Sequence, residues 1–348
     1  MKLNFRRPST GVISRRLAEL IAALLAGLGA GVAIAALAWG GSASSARPAA
    51  RPHVTNASGS ARELAPASAG AQPDRPPEFG HPQSRVAVHG ELKQGFASSF
   101  RRLRESLPGK VELSLVPLSG GASESLGGDV AAPGWSTMKV PVLTELLLDR
   151  GDRGLTAEEQ QLARSAITES SNEAIIALFE YLKRTHGGLA GASAAVQELF
   201  SRSGDQVTKV ATAPPPPNAV TTFGQTLWKP SEAVKFFSAL ARGCLLPANG
   251  TAYVLDLMQQ IEPEESWGLG EADLSPVAFK GGWGPEPDGG YVVRQAGIVN
   301  VGKPGAVAVS IVAFAPSFPE GTHMLTSVAH WLHSELKLTR RQNASCVT

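Results

Sequence analysis

Apolar residues at Leu92, Phe96, Phe100 and Leu103 recur every three or four positions in GELKQGFASSFRRLRES, which predicts a helix with one buried stripe. KVELSLVPL then alternates like a strand, and GGASESLGGD turns the chain into a second, shorter one. From Ser136 to about Gly243 the period becomes mainly helical, with TAEEQQLARSAITES opening on Thr156 and carrying Glu159 three residues on, the signature of a capping box. One interruption, GDQVTKVATAPPPPNAVTTFGQT, holds four successive prolines that exclude helix and central strand; a loop of that length is functional or disordered. After Trp267 the alternation returns in PVAFKGGW, YVVRQAGIVNV and AVAVSIVAFAP, closed by the amphipathic HMLTSVAHWLHSELKL. Strands at both ends with helices between predict an α+β domain over residues 84–340, its terminal segments sharing one mostly antiparallel sheet.

Three stretches precede that domain. Leu20–Trp39 is an uncharged apolar run long enough for one membrane crossing. Lys2, Arg6, Arg7, Arg15 and Arg16 lie before it and only Arg47 and Arg51 soon after, which keeps a tail of residues 1–19 in the cytoplasm and exports the rest. The alternative is a cleaved signal peptide, with SRRLAEL faintly like a twin-arginine signal and Ala43 and Ala46 as a small-residue cleavage site; that also exports the domain, as a secreted protein. No cysteine follows the run, which excludes a lipoprotein, and Gly27-x-x-x-Gly31 is read as chance in a Gly- and Ala-rich stretch. Residues 40–83, rich in Ala, Ser and Pro, read as a disordered tether, and 341–348 as a flexible tail.

Composition narrows the chemistry. The formal net charge is +2 with both signs interspersed, so no nucleic-acid partner is expected. Export permits a disulfide, but Cys244 and Cys346 are assigned no role. There is no G-x-S-x-G, H-E-x-x-H or P-loop, and His330 and His333, one turn apart, read as positions on a half-exposed helix rather than metal ligands; no cofactor is called for. The oligomeric state stays open.

Three short elements carry the candidate chemistry. In APGWSTMKVPVL, Ser136 and Lys139 lie three apart where a helix begins, near unpaired N–H groups; alone, the pair reads as a serine-capped helix with a solvated lysine. In ITESSNEAI, Ser170, Ser171 and Asn172 interrupt a helical pattern. In FKGGWG, Lys280 stands on a predicted strand, and Gly281 and Gly282 let a ligand approach the backbone.

Together and in this order, STMK, SSN and KGG resemble the active-site set of serine β-lactamases, class A above all, and penicillin-binding proteins. The resemblance covers about residues 90–340 and implies a mostly antiparallel sheet flanked by helices with a small helical lobe. It implies Ser136 as nucleophile, Lys139 as its base, Ser170 as proton relay to the leaving nitrogen, and Asn172 holding Lys139 and the substrate amide. Lys280 would attract a substrate carboxylate and depress the pKa of Lys139, and the backbone N–H groups of Ser136 and Trp283 would hold the oxyanion.

The sequence also departs from that pattern. Gly281 lacks the hydroxyl commonly used for the substrate carboxylate; Arg294 on the next strand is the candidate substitute, with an exposed strand residue as its plainer reading. The interval from Ser136 to Ser170 is short, and no E-x-x-L-N loop supplies a carboxylate to activate water. Asp205 lies near the required place but reads as a solvated loop residue. The expectation is an acyl-enzyme formed from a β-lactam or a D-Ala-D-Ala-like amide, with slow deacylation. The alternatives are a D,D-carboxypeptidase and a non-catalytic module that binds cell-wall peptide.

Overall fold

The structure, a computed structural model, describes residues 95–287 and 289–336. The cytoplasmic tail, apolar run and tether expected over residues 1–83 lie outside these, as do Leu92, Cys346 and the tail at 341–348. Among the described residues no helix is long and apolar enough to cross a membrane.

Helix α1 (Phe96–Glu105) buries Phe96 and Phe100, whose rings meet Trp331 at 4.7 and 5.0 Å between centroids. Strands β1 (Lys110–Pro117) and β2 (Glu124–Leu126) follow, and after the helical lobe the chain returns through β5 (Val277–Pro285), β6 (Tyr291–Val299) and β7 (Val307–Ala315). The five strands form one antiparallel sheet in the order β2-β1-β7-β6-β5. Early and late segments thus meet at the β1–β7 pair, as the alternating patterns predict.

Strand parity sorts the residues onto two faces. Leu113, Val293, Phe279, Val309, Ile311 and Ala313 pack with α1 and with α8 (Phe318–Glu335). Ala278, Ala296, Ile298 and Ala308 face the helical lobe. That lobe holds α2 (Lys139–Arg150), α3 (Ala157–Thr168), α4 (Asn172–Thr185), α5 (Leu189–Arg202), α6 (Pro230–Ala241) and α7 (Ala248–Gln259). Thr156 and Glu159 form both bonds of the capping box at the head of α3.

Tertiary context revises four local readings. The proline-bearing interruption is followed directly by a two-residue strand, β4 (Leu227–Trp228), paired with β3 (Ala132–Pro133) just ahead of Ser136. Two residues are too few for an alternation to register. Helix α7, after Pro247, was not anticipated, and α8 starts at Phe318, capped by Ser317, rather than at His323. Asp205 is no solvated loop residue: it is fully buried, accepts the Val207 and Thr208 N–H groups at 3.0 and 2.9 Å and Trp228 Nε1 at 3.2 Å, and so pins the interruption to β4.

Candidate active site

Ser136 lies in a 3₁₀ turn, Trp135–Met138, that leads directly into α2. Residues three apart eclipse in such a turn, which aligns Ser136 with Lys139. The turn is fixed from both sides: Gly134 N–H donates to Thr226 at 2.8 Å, and Thr137 N–H donates back to Gly134 at 3.1 Å. Trp135, immediately before the nucleophile candidate, holds φ at 48°, a left-handed conformation that costs a non-glycine residue about 1–3 kcal/mol.

Ser170 is held in the same region of backbone space, with φ 58°, between the end of α3 and the Ser171 cap of α4. This bend turns both its oxygens toward α2. The Lys139 ammonium donates to the Ser170 carbonyl and, at 3.3 Å, to Ser170 Oγ. Asn172, at the head of α4, lines the cleft; the contact to Lys139 that the resemblance assigned to Asn172 is made by Ser170.

Lys139 is 1% exposed, and burial brings its pKa down to about 7, helped by the neighbouring Lys280 ammonium and opposed by the carboxylates of Glu265 and Glu173. Lys280 is fully buried and lowered to about 8 by desolvation, with Glu265 again acting in the other direction; its Nζ donates to the Gly281 carbonyl at 3.1 Å. Two lysines packed side by side away from water are costly, and such arrangements concentrate at functional sites.

The parity of β5 places Lys280 and Gly282 on the face toward Ser136, and Gly281 on the opposite one. A Cβ on Gly282 would stand 2.8 Å from the Ser136 nitrogen and 2.9 Å from that of Thr137, so strand and turn touch backbone to backbone. A Cβ on Gly281 would stand 2.9 Å from the Trp267 ring. The sequence reading gave the space beside these glycines to a ligand; the protein itself fills it. β5 is the sheet edge, so alternate backbone groups point away from β6, and Trp283, 44% exposed, lines the cleft from this edge.

Arg294 is neither exposed nor placed to receive a substrate carboxylate. Paired across from Gly282, it is fully buried, and its Nη1 donates to the carbonyls of Ala132, Pro133 and Trp228 at 3.1, 3.2 and 3.1 Å. Desolvation lowers its pKa to about 9, which leaves it charged at neutral pH. Its role is to bind the β3–β4 pair, and hence the start of the nucleophile turn, to the sheet. Arg294→Met is expected to change unfolding free energy by less than about 2 kcal/mol at pH 7, because the three carbonyls left unpaired are offset by relief of a buried charge whose Nε and Nη2 have no partner among the described residues; urea denaturation with an unchanged slope measures it.

The cleft that unites these elements has a volume of about 220 Å³ and is lined by Ser136, Ser170 and Asn172, by Trp135 and the Trp283–Pro285 edge, by Asn218–Thr221 of the interruption, and by Glu265. Sequence reasoning missed Trp135, Asn218 and Glu265. None stands in a motif, and EPEES around Glu265 carries no periodic signal; only the fold brings them to the serine. Among the described residues no group of three or more His, Cys, Asp or Glu could hold a metal, and His330 and His333 stand exposed on α8.

The model of a family described as the Beta-lactamase enzyme family matches residues 148–336, a span that includes Ser170, Asn172 and Lys280 and begins after Lys139. Among solved structures the chain is similar to TLA-3 extended-spectrum beta-lactamase, with 12% identity and a TM-score of 0.55 over 69% of this chain and 99% of that one. It is also similar to a class A beta-lactamase from Bacteroides cellulosilyticus DSM 14838, at 14% identity and 0.54 over 70% and 99% of the two chains. A third similar structure is PBP-A, at 20% identity and 0.53 over 70% and 96%. Identities this low speak to the fold alone. No curated protein matches the chain.

Proposed function

The chain belongs to the beta-lactamase enzyme family, and from that premise we propose that it is an exported serine hydrolase whose Ser136 takes the acyl group of a β-lactam or a D-Ala-D-Ala-like amide. The observation that carries this reading is a lysine with a pKa near 7, Lys139, buried one turn from Ser136 and bonded to Ser170 on the wall of the same cleft. In its neutral form Lys139 takes the proton of Ser136 Oγ as that oxygen bonds to the substrate carbonyl carbon. The oxyanion sits against the backbone N–H groups of Ser136 and Trp283. As the carbon–nitrogen bond breaks, the proton passes from Lys139 through Ser170 Oγ to the leaving nitrogen, and Lys139 is neutral again. Asn172 is left to orient the substrate amide.

Release of the acyl group needs an activated water. The stretch of the interruption that lines the cleft, Asn218–Thr221, brings amide, hydroxyl and apolar groups but no carboxylate; the acid on the cleft wall among the described residues, Glu265, comes from a different segment, and this supports slow deacylation. The apolar run Leu20–Trp39 with its preceding basic residues supports a membrane-anchored domain outside the cell. A non-catalytic module that binds cell-wall peptide is the second reading, favoured by the filled space beside Gly281.

The test uses the full-length chain and its Ser136→Ala variant, exposed to a fluorescent penicillin, an uncharged fluorophosphonate and a chromogenic cephalosporin. Expected is Ser136-dependent labelling that persists while the cephalosporin changes colour slowly. Equal labelling of both chains, or none of either, overturns the hydrolase and leaves the binding module.

A further inference from the structure

Three cations lie buried beneath the cleft, and a carboxylate stands on its wall. Lys139 and Lys280 are 1% and 0% exposed, with their ammonium groups turned to the carbonyls of Ser170 and Gly281. Arg294, two pairs further along the β5–β6 ladder, is bonded to backbone carbonyls. Among the described residues neither lysine is in ion-pair contact with a carboxylate. The acid on the wall is Glu265, carried by the short turn Pro263–Glu265. That turn is fastened on both sides. Ahead of it, Glu262 N–H donates to the Thr168 carbonyl at 3.0 Å, two residues before Ser170. Behind it, the Trp267 ring lies over Gly281, the residue after Lys280, and the Trp267 carbonyl accepts from Gln295 Nε2 on β6. The fold thus suspends a carboxylate between the segment that bears Ser170 and the strand that bears Lys280.

We propose that Glu265 is a positioning residue: from the cleft wall it keeps one proton on the Lys139–Lys280 pair at neutral pH, as the Lys280 ammonium, while Lys139 serves as the base for Ser136. The proposal rests on the cleft being the site of acyl transfer. Its reason is electrostatic. Desolvation disfavours the charged form of both amines and brings Lys139 to about 7 and Lys280 to about 8, with the Lys280 charge adding to the descent at Lys139. The Glu265 carboxylate opposes that descent at both lysines. At Lys139 it is joined by Glu173, an exposed residue at the head of α4 whose carboxylate accepts from Ser171 Oγ at 3.2 Å. At Lys280 the opposing charge is that of Glu265. Without Glu265 both protons would leave at lower pH, and the ammonium that draws a substrate carboxylate would begin to disappear at neutral pH.

The test compares full-length wild type, Glu265→Gln and Glu265→Asp in their rate of labelling by the uncharged fluorophosphonate from about pH 5 to about pH 9, with urea denaturation to show each chain folded. An uncharged reagent is used because the Glu265 charge would itself repel an anionic one. Wild type should lose labelling below a midpoint near pH 7. In Glu265→Gln that midpoint should fall by about 0.5–1 pH unit, so that labelling near about pH 5.5 is about three- to tenfold faster, with a plateau within about twofold of wild type. Glu265→Asp keeps the charge and should stay within about 0.3 unit of wild type. A purely structural role would lower the plateau of Glu265→Gln and leave its midpoint in place. The ε-carbon resonances of isotope-labelled lysine, assigned with Lys139→Met, read the same shift without any acylation, and those of both buried lysines should titrate at lower pH in Glu265→Gln. Midpoints that stay put or rise in a folded Glu265→Gln, or that fall as far in Glu265→Asp, overturn the proposal. Absence of labelling of wild type at every pH overturns the acyl-transfer reading instead, and the lysine resonances still decide whether Glu265 holds the proton.

Discussion

Replacing Lys139 with Met is expected to slow acylation of Ser136 by about 10³- to 10⁴-fold while making the protein more stable at neutral and acid pH. The kinetic loss follows from removing the buried amine that is bonded to Ser170 and lies one turn from the nucleophile, at the usual worth of a general base. The gain in stability follows from linkage. The folded-state pKa of Lys139 is about 7 against an ordinary 10.5, so at low pH the native state must carry a charge that its surroundings disfavour. Below pH 7 that cost is fully present, about 5 kcal/mol. Between pH 7 and 10.5 the unfolded chain binds more protons, so wild-type stability rises with pH and the cost disappears near the upper value. Lys280, lowered to about 8, contributes with the same sign over a narrower window. Because the variant also loses the bonds to Ser170, worth about 2–3 kcal/mol, a gain of about 2–3 kcal/mol should remain at pH 6, cross zero near about pH 8.5–9, and leave the variant about 1–2 kcal/mol less stable than wild type near pH 10. Denaturant titrations at several pH values measure this, and a variant less stable than wild type at pH 6 would sink the account. In wild type the acylation rate should rise about tenfold per unit up to pH 7 and level above it.

Gly282→Ala should be nearly as damaging to acylation by a different route, about 10²-fold or more. The added methyl would stand 2.8 and 2.9 Å from two backbone nitrogens, which have no flexible end to swing away. Either β5 or the Trp135–Met138 turn must shift, and the turn carries the nucleophile and one oxyanion donor, where a displacement of about 1 Å is enough for such a loss. Overpacking of this kind also costs about 1–3 kcal/mol. Labelling rates with the fluorophosphonate, measured beside urea unfolding, separate the two: a folded variant that labels at the wild-type rate would show that the contact does not position Ser136.

Much of this architecture is legible along the chain. The alternation in KVELSLVPL, YVVRQAGIVNV and AVAVSIVAFAP appears as three long strands, and the Thr156–Glu159 capping box is formed as read. The three motifs also name residues that share a neighbourhood, with Ser136, Ser170 and Asn172 on one cleft and Lys139 and Lys280 beneath it. By contrast, the two-residue β3–β4 pair left no pattern to read, and the roles of Asp205 and Arg294 were misread because both resemble exposed residues of a loop and a strand. Their burial comes from β4 closing over the sheet, a contact between segments far apart in sequence.

Sequence alone determined the order of the long strands and of most of the helices, and the residue types available for chemistry, because period and capping depend on neighbours a few positions away. The tertiary structure alone decided which charges face the ligand. It put Lys139 and Lys280 below the floor and Glu265 on the wall, it filled the space beside Gly281 with Trp267, and it turned Arg294 into a fastening for the nucleophile turn. Desolvation and field at a side chain are summed over everything packed around it, and that packing exists only once the distant segments have met.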